Sequence, residues 1–297
     1  MELANPEKTI IRPANEHDKS EIYRLIQSAP YSHVHVDWHL PADWIGAPGF
    51  VVCESPAPGS DPAMLACFAA AADPQPAAWV RLVAIRRGQN PVALLELMLA
   101  AVLPYFRDSG VTELGWFPVR IWPESWLVSL GFEQVNRIVT FIKNDINNDD
   151  MRELSLPLNG FTIRPAELGD MPMLAALEED AFIPLWRHSS QSLTLAYRQA
   201  LSFDLAEIDG QIVGFQYSVE GQKKESVHLV RITVAADWQN QGVGRALMAS
   251  TLAGYWRRGI RQVTLNTQID NINSHRLYRR FGFRQLRDEL PVWAMRI

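Results

Sequence analysis

With 297 residues, 47% of them hydrophobic and 10 of them Trp, the chain has apolar material for two domains of ordinary size. A net charge of −5 leaves no basic footprint for nucleic acid. Met1–Ser20 is polar rather than signal-like, and the longest apolar run, Val92–Leu103, is too short for a membrane span and is broken by Glu96. Two cysteines, Cys53 and Cys67, fit a reducing compartment, so a cytoplasmic location is expected.

The first distinctive stretch is Tyr31–His39. His33, His35, Asp37 and His39 alternate, so an extended chain would set them on one face, and zinc accepts such ligands. Residues two apart on a strand are separated by about 7 Å, too far for a straight strand to wrap all of them round one ion. Polar and aromatic packing is therefore expected, with no metal. Phe50–Ser55 and Ala63–Ala70 read as strands, and a hairpin centred near Ser60 would set Cys53 opposite Cys67 within cross-linking reach. A pair of small core residues is the alternative that a reducing compartment favours. Asn144–Asn159, rich in Asn and Asp with a late Pro157, has too little apolar surface to fold alone and reads as a linker.

Phe161–Pro165 predicts a strand, and Asp170 an N-cap for a helix from Met171 with Pro172 in its first turn. The following segment carries Glu178, Glu179, Asp180, Trp186, Arg187 and His188. Its acidic edge would suit a cationic amine, the alternative being a solvated helix end. Phe203–Ile208 and Gln211–Glu220 flank Asp209-Gly210, a hairpin dipeptide, and a strand Ser226–Val234 follows. Then come a polar turn, Gly242 and Gly244, and a helix over about Val243–Arg258 with Gly259 at its C′ position. Glycines before a helix start let a ligand approach main-chain N–H groups that have no intrahelical partner, which makes an anion cradle. A dinucleotide fingerprint would need a small residue where Leu247 stands, and no G-K-[ST] tripeptide follows.

Gln239-x-x-Gly242-x-Gly244 after a β-branched strand resembles the acetyl-CoA pyrophosphate loop of the GNAT superfamily of N-acetyltransferases. Asn271-Ile-Asn-Ser-His-Arg-Leu-Tyr278-Arg-Arg-Phe-Gly-Phe283 is similar to that family's N-x-x-[AS]-x-x-L-Y-x-x-x-G-F segment. Both blocks occur in the family's order within Gly160–Ile297. The resemblance implies an α/β fold with a mixed sheet. It also implies acetyl transfer from acetyl-CoA to a small-molecule or peptide amine; no metal, nucleic-acid or membrane partner is expected.

Landmarks recur along the chain at shifts of about 150 residues. Ile11-Arg-Pro-Ala echoes Ile163-Arg-Pro-Ala, and Trp79-Val-Arg-Leu-Val echoes Leu229-Val-Arg-Ile-Thr. Tyr105-Phe-Arg-Asp-Ser-Gly110 echoes Tyr255-Trp-Arg-Arg-Gly259, and Leu130-Gly-Phe132 echoes Phe281-Gly-Phe283. A tandem duplication follows: a first GNAT-like domain over 1–143, a linker over 144–159, and a second over 160–297. The first copy carries Gln89-Asn-Pro-Val-Ala-Leu94 opposite the glycine loop and Leu127 opposite Tyr278. Pro91 removes one N–H, so this copy is expected to be non-catalytic.

By resemblance, the pyrophosphate falls to Gln239, Asn240, Gln241, Gly242, Val243, Gly244 and Arg245, and the pantetheine arm to Ile232, Thr233 and Val234. Asn271 would bond that arm or cap its helix. Tyr278 takes the family's role of proton donor to the departing thiolate. His228 stands where histone-acetylating members carry a glutamate base, and Asn266 where others do; a water relay from His228, Glu225 or the acidic edge is the alternative. An acyl-CoA sensor without turnover remains the rival function.

Overall fold

The structure is a computed structural model and describes residues 9–55, 63–120, 122–146 and 160–297. In chain order its strands and helices are β1 Ile10–Pro13, α1 Lys19–Ser28, β2 Tyr31–Val34, β3 Phe50–Ser55, β4 Ala63–Ala71, β5 Ala77–Ile85, α2 Pro91–Asp108, β6 Glu113–Trp116, α3 Glu124–Leu127 and β7 Glu133–Lys143. The second half continues with β8 Thr162–Pro165, α4 Met171–Ala181, α5 Ser190–Gln199, β9 Ser202–Ile208, β10 Gln211–Glu220, β11 Ser226–Val234, α6 Val243–Arg257, β12 Gln262–Gln268, α7 Ile272–Arg280 and β13 Arg284–Arg296.

The chain divides into two compact units, Met1–Val135 with Leu290–Ile297, and Asn136–Glu289. These spatial units divide elsewhere than the sequence repeats do. From Asn136, β7 pairs antiparallel with β12 inside the second unit, and from Leu290, β13 pairs antiparallel with β6 inside the first. A strand's hydrophobic pattern specifies which face is buried but not which neighbour it pairs with, so this exchange leaves no mark in the sequence. Of the expected linker, residues 147–159 lie outside the described residues. Ile146 is buried in the core of the second unit, and Asn144 accepts a hydrogen bond of 2.9 Å from Gln262.

In the first unit the strands run β1-β3-β4-β5-β6-β13. One sheet face packs on α2 through Leu94, Leu95, Met98, Leu99, Val102 and Phe106; the other packs on α1 through Ile22 and Leu25. Cys53 pairs across the ladder with Ala66, and Cys67 with Val52. This one-residue offset sends the two side chains to opposite faces, so the opposed pair expected from the sequence is not formed. The turn near Ser60 lies outside the described residues. Both thiols are free and buried, and burial pushes each up to about 12.

One edge of β5 is held by β4 from Trp79 to Ile85. The other edge is shared. β6 pairs parallel with Ala77–Trp79, and β2 pairs antiparallel with Leu82–Ile85, its run prolonged by the His35 amide donating to the Arg81 carbonyl at 2.8 Å. The Tyr31–His39 segment thus becomes strand and packing groups. His33 is buried against Val80 and Trp116, His35 lies over Trp79, and Asp37 pairs with Arg81 and with His39. Among the described residues no group of three His, Cys, Asp or Glu side chains is arranged to hold a metal.

In the second unit the order is β8-β9-β10-β11-β12-β7. The Asp209-Gly210 turn has φ of 46° and 79°, the left-handed pair that a two-residue hairpin needs. Asp170 stands at the helix boundary as expected, but its side chain does not cap α4. Its carboxylate accepts the Glu167 amide and both terminal nitrogens of Arg164, which also reaches Glu207. Arg12, Asp18 and Glu54 repeat that clamp in the first unit, so the recurring Ile-Arg-Pro-Ala…Asp pattern has a physical meaning.

Candidate functional site

β11 is where the second sheet opens. β10 holds one of its edges from Val227 to Val234, with a bulge that leaves Val230 opposite no residue. On its other edge β12 pairs only with Ser226–Leu229. The bulge shows in the sequence after all. The apolar residues facing α6 and α7 are Val227 and Leu229, then Ile232 and Val234, a change of phase that an uninterrupted strand would not show. Beyond the bulge, the Ala235 amide donates to the Val213 carbonyl at 2.9 Å. Alternation along an antiparallel strand then turns the main-chain groups of Ile232 and Val234 away from β10 and toward the unpaired edge. Thr233 behaves differently: alternation commits its main chain to β10, and its side chain is buried with a hydroxyl that has no hydrogen-bond partner.

The strand leads through a turn at Ala236–Trp238 into the glycine loop. The Gln239 side-chain amide donates to the Val234 carbonyl at 3.3 Å, and that of Gln241 to the Asp237 carbonyl at 2.7 Å, so both glutamines brace the loop. Asn240 takes φ 60° and Gly242 φ 95°. Gly242 is the N-cap of α6 and offers no side chain to its first turn. The first intrahelical bond runs from the Ala246 amide to the Gly242 carbonyl at 3.0 Å, so the amides of Val243 and Gly244 stand at the open end, with Arg245 on the same turn. A Cβ on Gly244 would sit 3.5 Å from Val234 and 3.6 Å from Leu277, in the mouth of the open edge.

α7 brings the second motif to the same place. Asn271 caps it, its side-chain oxygen accepting the Ser274 amide at 3.2 Å. Tyr278 is buried, packed on Phe141 and Phe283. Burial pushes its phenol up to about 12, against a smaller opposing pull from Ser274 and Arg231. His228 lies on the paired part of β11, with Nδ1 2.9 Å from the Thr264 hydroxyl, and burial lowers its pKa. Glu225 occupies the turn before β11 with φ 58°, its carbonyl accepting the amides of Arg261 and Gln262.

The expected acidic edge does not form as one surface. Glu179 and Asp180 are exposed, but Glu178 is fully buried. Its carboxylate accepts Nε and Nη2 of Arg231, each at 2.8 Å, and the His188 amide at 2.7 Å. Burial would push this carboxyl up, but the charge of Arg231, with the hydrogen bonds from His188 and Arg231, outweighs it and holds the group down at about 2. Glu178 is thus an internal anchor, because the helical period turns it inward where Glu179 and Asp180 face out. Arg231 also donates to the Trp186 carbonyl and lies 3.9 Å from the Phe182 ring centroid. Arg187 donates to the carbonyls of Phe182 and Glu179, both at 2.8 Å, and closes the end of α4. Arg231 and the bulge are the parts of this site that the motif reading passed over.

Residues 171–283 match the model of the acetyltransferase (GNAT) family. An aminoglycoside N(6′)-acetyltransferase type 1 of Stenotrophomonas maltophilia is 28% identical over 136 residues, 42% of this chain and 86% of that protein. The ribosomal protein bS18-alanine N-acetyltransferase of Escherichia coli (strain K12) is 27% identical over 124 residues, 42% of this chain and 81% of that enzyme. Over nearly the whole length, a tandem GNAT protein from the clavulanic acid biosynthesis pathway shares the fold with a TM-score of 0.56 at 14% identity, covering 97% of this chain and 98% of that one. No helix among the described residues is long and apolar enough to cross a membrane. The segment that matches the GNAT acetyltransferase family, residues 171–283, lies in the unit that holds the open strand edge.

Proposed function

We propose that the second unit transfers an acetyl group from acetyl-CoA directly to a primary amine. The observation that carries this reading is the conjunction of two open backbone features, the uncapped start of α6 and the unpaired edge of β11 after Val230. A diphosphate fits the first: the amides of Val243 and Gly244 donate, the helix dipole favours negative charge, and Gly244 leaves room for close approach. An amide-bearing pantetheine arm fits the second by adding strand-like hydrogen bonds to Ile232 and Val234. Asn271 serves as the cap of α7, and Gln239, Asn240 and Gln241 shape the loop rather than donate from their side chains.

When bound, acetyl-CoA supplies an activated acyl carbon and a thiol leaving group. A main-chain N–H at the open edge near Val234 would donate to the acyl oxygen, where charge grows on attack. Tyr278, held protonated by its raised pKa, presents a donor to the sulfur. Its phenol lies about 3.5 units above an ordinary thiol, so complete transfer to a thiolate is uphill by roughly 5 kcal/mol, and a stabilising hydrogen bond is its main contribution. The first unit takes no acetyl-CoA in this reading.

Release of thiol and gain of one acetyl group by the acceptor test the proposal. Wild-type protein is mixed with acetyl-CoA and an amine panel that includes an aminoglycoside with a 6′-amine and a peptide beginning with alanine, the amine types named for its relatives. Absence of binding heat with acetyl-CoA would end the reading. Binding without thiol release from any amine would favour the sensor.

A further inference from the structure

We propose that His188 accepts the proton of the attacking amine, with Glu178 fixing its tautomer and Arg231 holding Glu178. This rests on the acetyl-transfer reading and assigns the base that reading lacks. The His188 ring places Nδ1 3.2 Å and 3.4 Å from the two carboxylate oxygens of Glu178, while its own amide is fastened to the same group. A carboxylate held ionised only accepts hydrogen bonds, so Nδ1 carries the hydrogen and Nε2 presents a lone pair. The His188 side chain is 27% exposed, whereas Glu178 behind it is fully buried. The imidazole therefore has an inner nitrogen held at Glu178, while about a quarter of the side chain reaches solvent.

Its position supports the same role. The ring lies 6.4 Å, edge on, from Tyr217, whose partner across the ladder is Arg231, the residue that follows the bulge. His188 thus stands at the level where β11 leaves β12, on the sheet face opposite the one α6 fills. His228 lies on the stretch where the two strands are still paired, its ring tied to Thr264.

The first unit carries the same chemistry in closed form. There Arg81, at the bulge of β5, pairs with Asp37, and His39 points Nδ1 at that carboxylate from 3.2 Å. But the His39 side chain is only 5% exposed, with its ring 4.5 Å from Trp44. The histidine of the arginine–carboxylate–histidine set is buried in the unit whose strand edge is filled by β2, beside a small cavity that also touches Asp37 and Arg81, and is part-exposed in the unit whose edge is not. A purely structural clamp would give no reason for that difference.

In the step inferred, one ammonium proton passes to Nε2, the freed nitrogen lone pair forms the C–N bond, and the C–S bond breaks with its electron pair going to sulfur. The second proton lost by the nitrogen ends on that sulfur, and water later removes the one on His188. The charged and titratable groups around the ring are Glu178 from α4, Arg231 from β11, Tyr217 from β10 and the neighbouring Arg187.

Wild type, His188→Gln and His188→Gly are compared with saturating acetyl-CoA and the amine that wild type turns over best, with acetyl-CoA Kd from calorimetry. We expect His188→Gln to lower kcat about 100-fold at pH 7 while Kd stays within about twofold. The deficit should shrink at higher pH, where free amine is already present, and added imidazole should restore part of the His188→Gly rate. A His188→Gln protein with wild-type rate and pH profile would overturn the assignment. So would a loss that neither alkaline pH nor imidazole relieves, or a His228→Gln variant that alone shows the pH-dependent deficit. A wild-type protein that binds no acetyl-CoA would instead remove the acetyl-transfer reading itself.

Discussion

The starts of α2 and α6 stand at corresponding places in the two sequence repeats and are capped in opposite ways. At α6 the cap is a left-handed glycine with no side chain to give. At α2 the cap is Asn90, whose side chain takes the Ala93 amide at 3.2 Å, and the next residue is Pro91, which has no N–H. The strands that feed them differ in the same sense. β11 keeps an edge unpaired after its bulge, whereas on β5 that edge is filled by Tyr31–Val34. In the first unit the chain makes for itself hydrogen bonds along a strand edge that the second unit leaves unpaired beyond Leu229. Sequence alone exposed only half of this, because a proline and lost glycines are visible in one dimension and a strand laid into a gap is not.

The largest effect should come from forcing the two helix starts to resemble each other. Gly242→Val places a β-branched residue at φ 95° and puts bulk over the amides, so acetyl-CoA binding by calorimetry and thiol release should both vanish. The reverse change, Asn90→Gly with Pro91→Val and Val92→Gly, should not create a second site, because β2 still holds the edge of β5. Stoichiometry should stay at one cofactor per chain. Two would show that the strand yields its place.

Next in size is the contrast between Tyr278 and Leu127, both buried at matching points of α7 and α3. Tyr278→Phe keeps the packing on Phe141 and removes only the hydroxyl. It should reduce kcat roughly 10- to 100-fold with acetyl-CoA Kd unchanged, the signature of an interaction made on the way to the transition state. A larger KM at constant kcat would place the hydroxyl in cofactor binding instead.

The two buried arginine clamps give a stability comparison. Glu178→Ala would leave Arg231 buried without its partner, and Asp37→Ala would do the same to Arg81; each should cost about 3–5 kcal/mol. Glu178 also predicts a pH dependence. Its folded pKa of about 2 lies below the unfolded 4.5, so its stabilisation is present above pH 4.5 and is lost as pH falls through 2. That amounts to roughly 3 kcal/mol. Acid unfolding of Glu178→Gln should lack this component.

Much of the second unit could be read directly, and the reasons are local. The Asp209-Gly210 turn, the glycine at φ 95° and the cap of α7 are each set by a residue type that suits one backbone geometry. Glu178 was misread because three consecutive acids look like a surface, and only the helical phase separates the inward one from its neighbours. The exchange of β7 and β13, and β2 in the gap, depend on which strands meet, which propensity does not encode.

The smallest expected effect tests whether the frame outlived the site. Both helices end alike: Gly110 at φ 80° and Gly259 at φ 76° follow the last turn, and the Val111 and Ile260 amides reach back to Phe106 and Tyr255 at 2.9 Å and 3.1 Å. A Cβ at either glycine meets nothing within 4 Å, so Gly110→Ala and Gly259→Ala differ from wild type only in left-handed strain. Each should destabilise its unit by about 1 kcal/mol, with similar small decreases in Tm. Equal penalties would mean that selection has held the two folds to one standard while releasing one ligand site. A markedly smaller penalty at Gly110 would mean that the end of α2 has loosened along with its start.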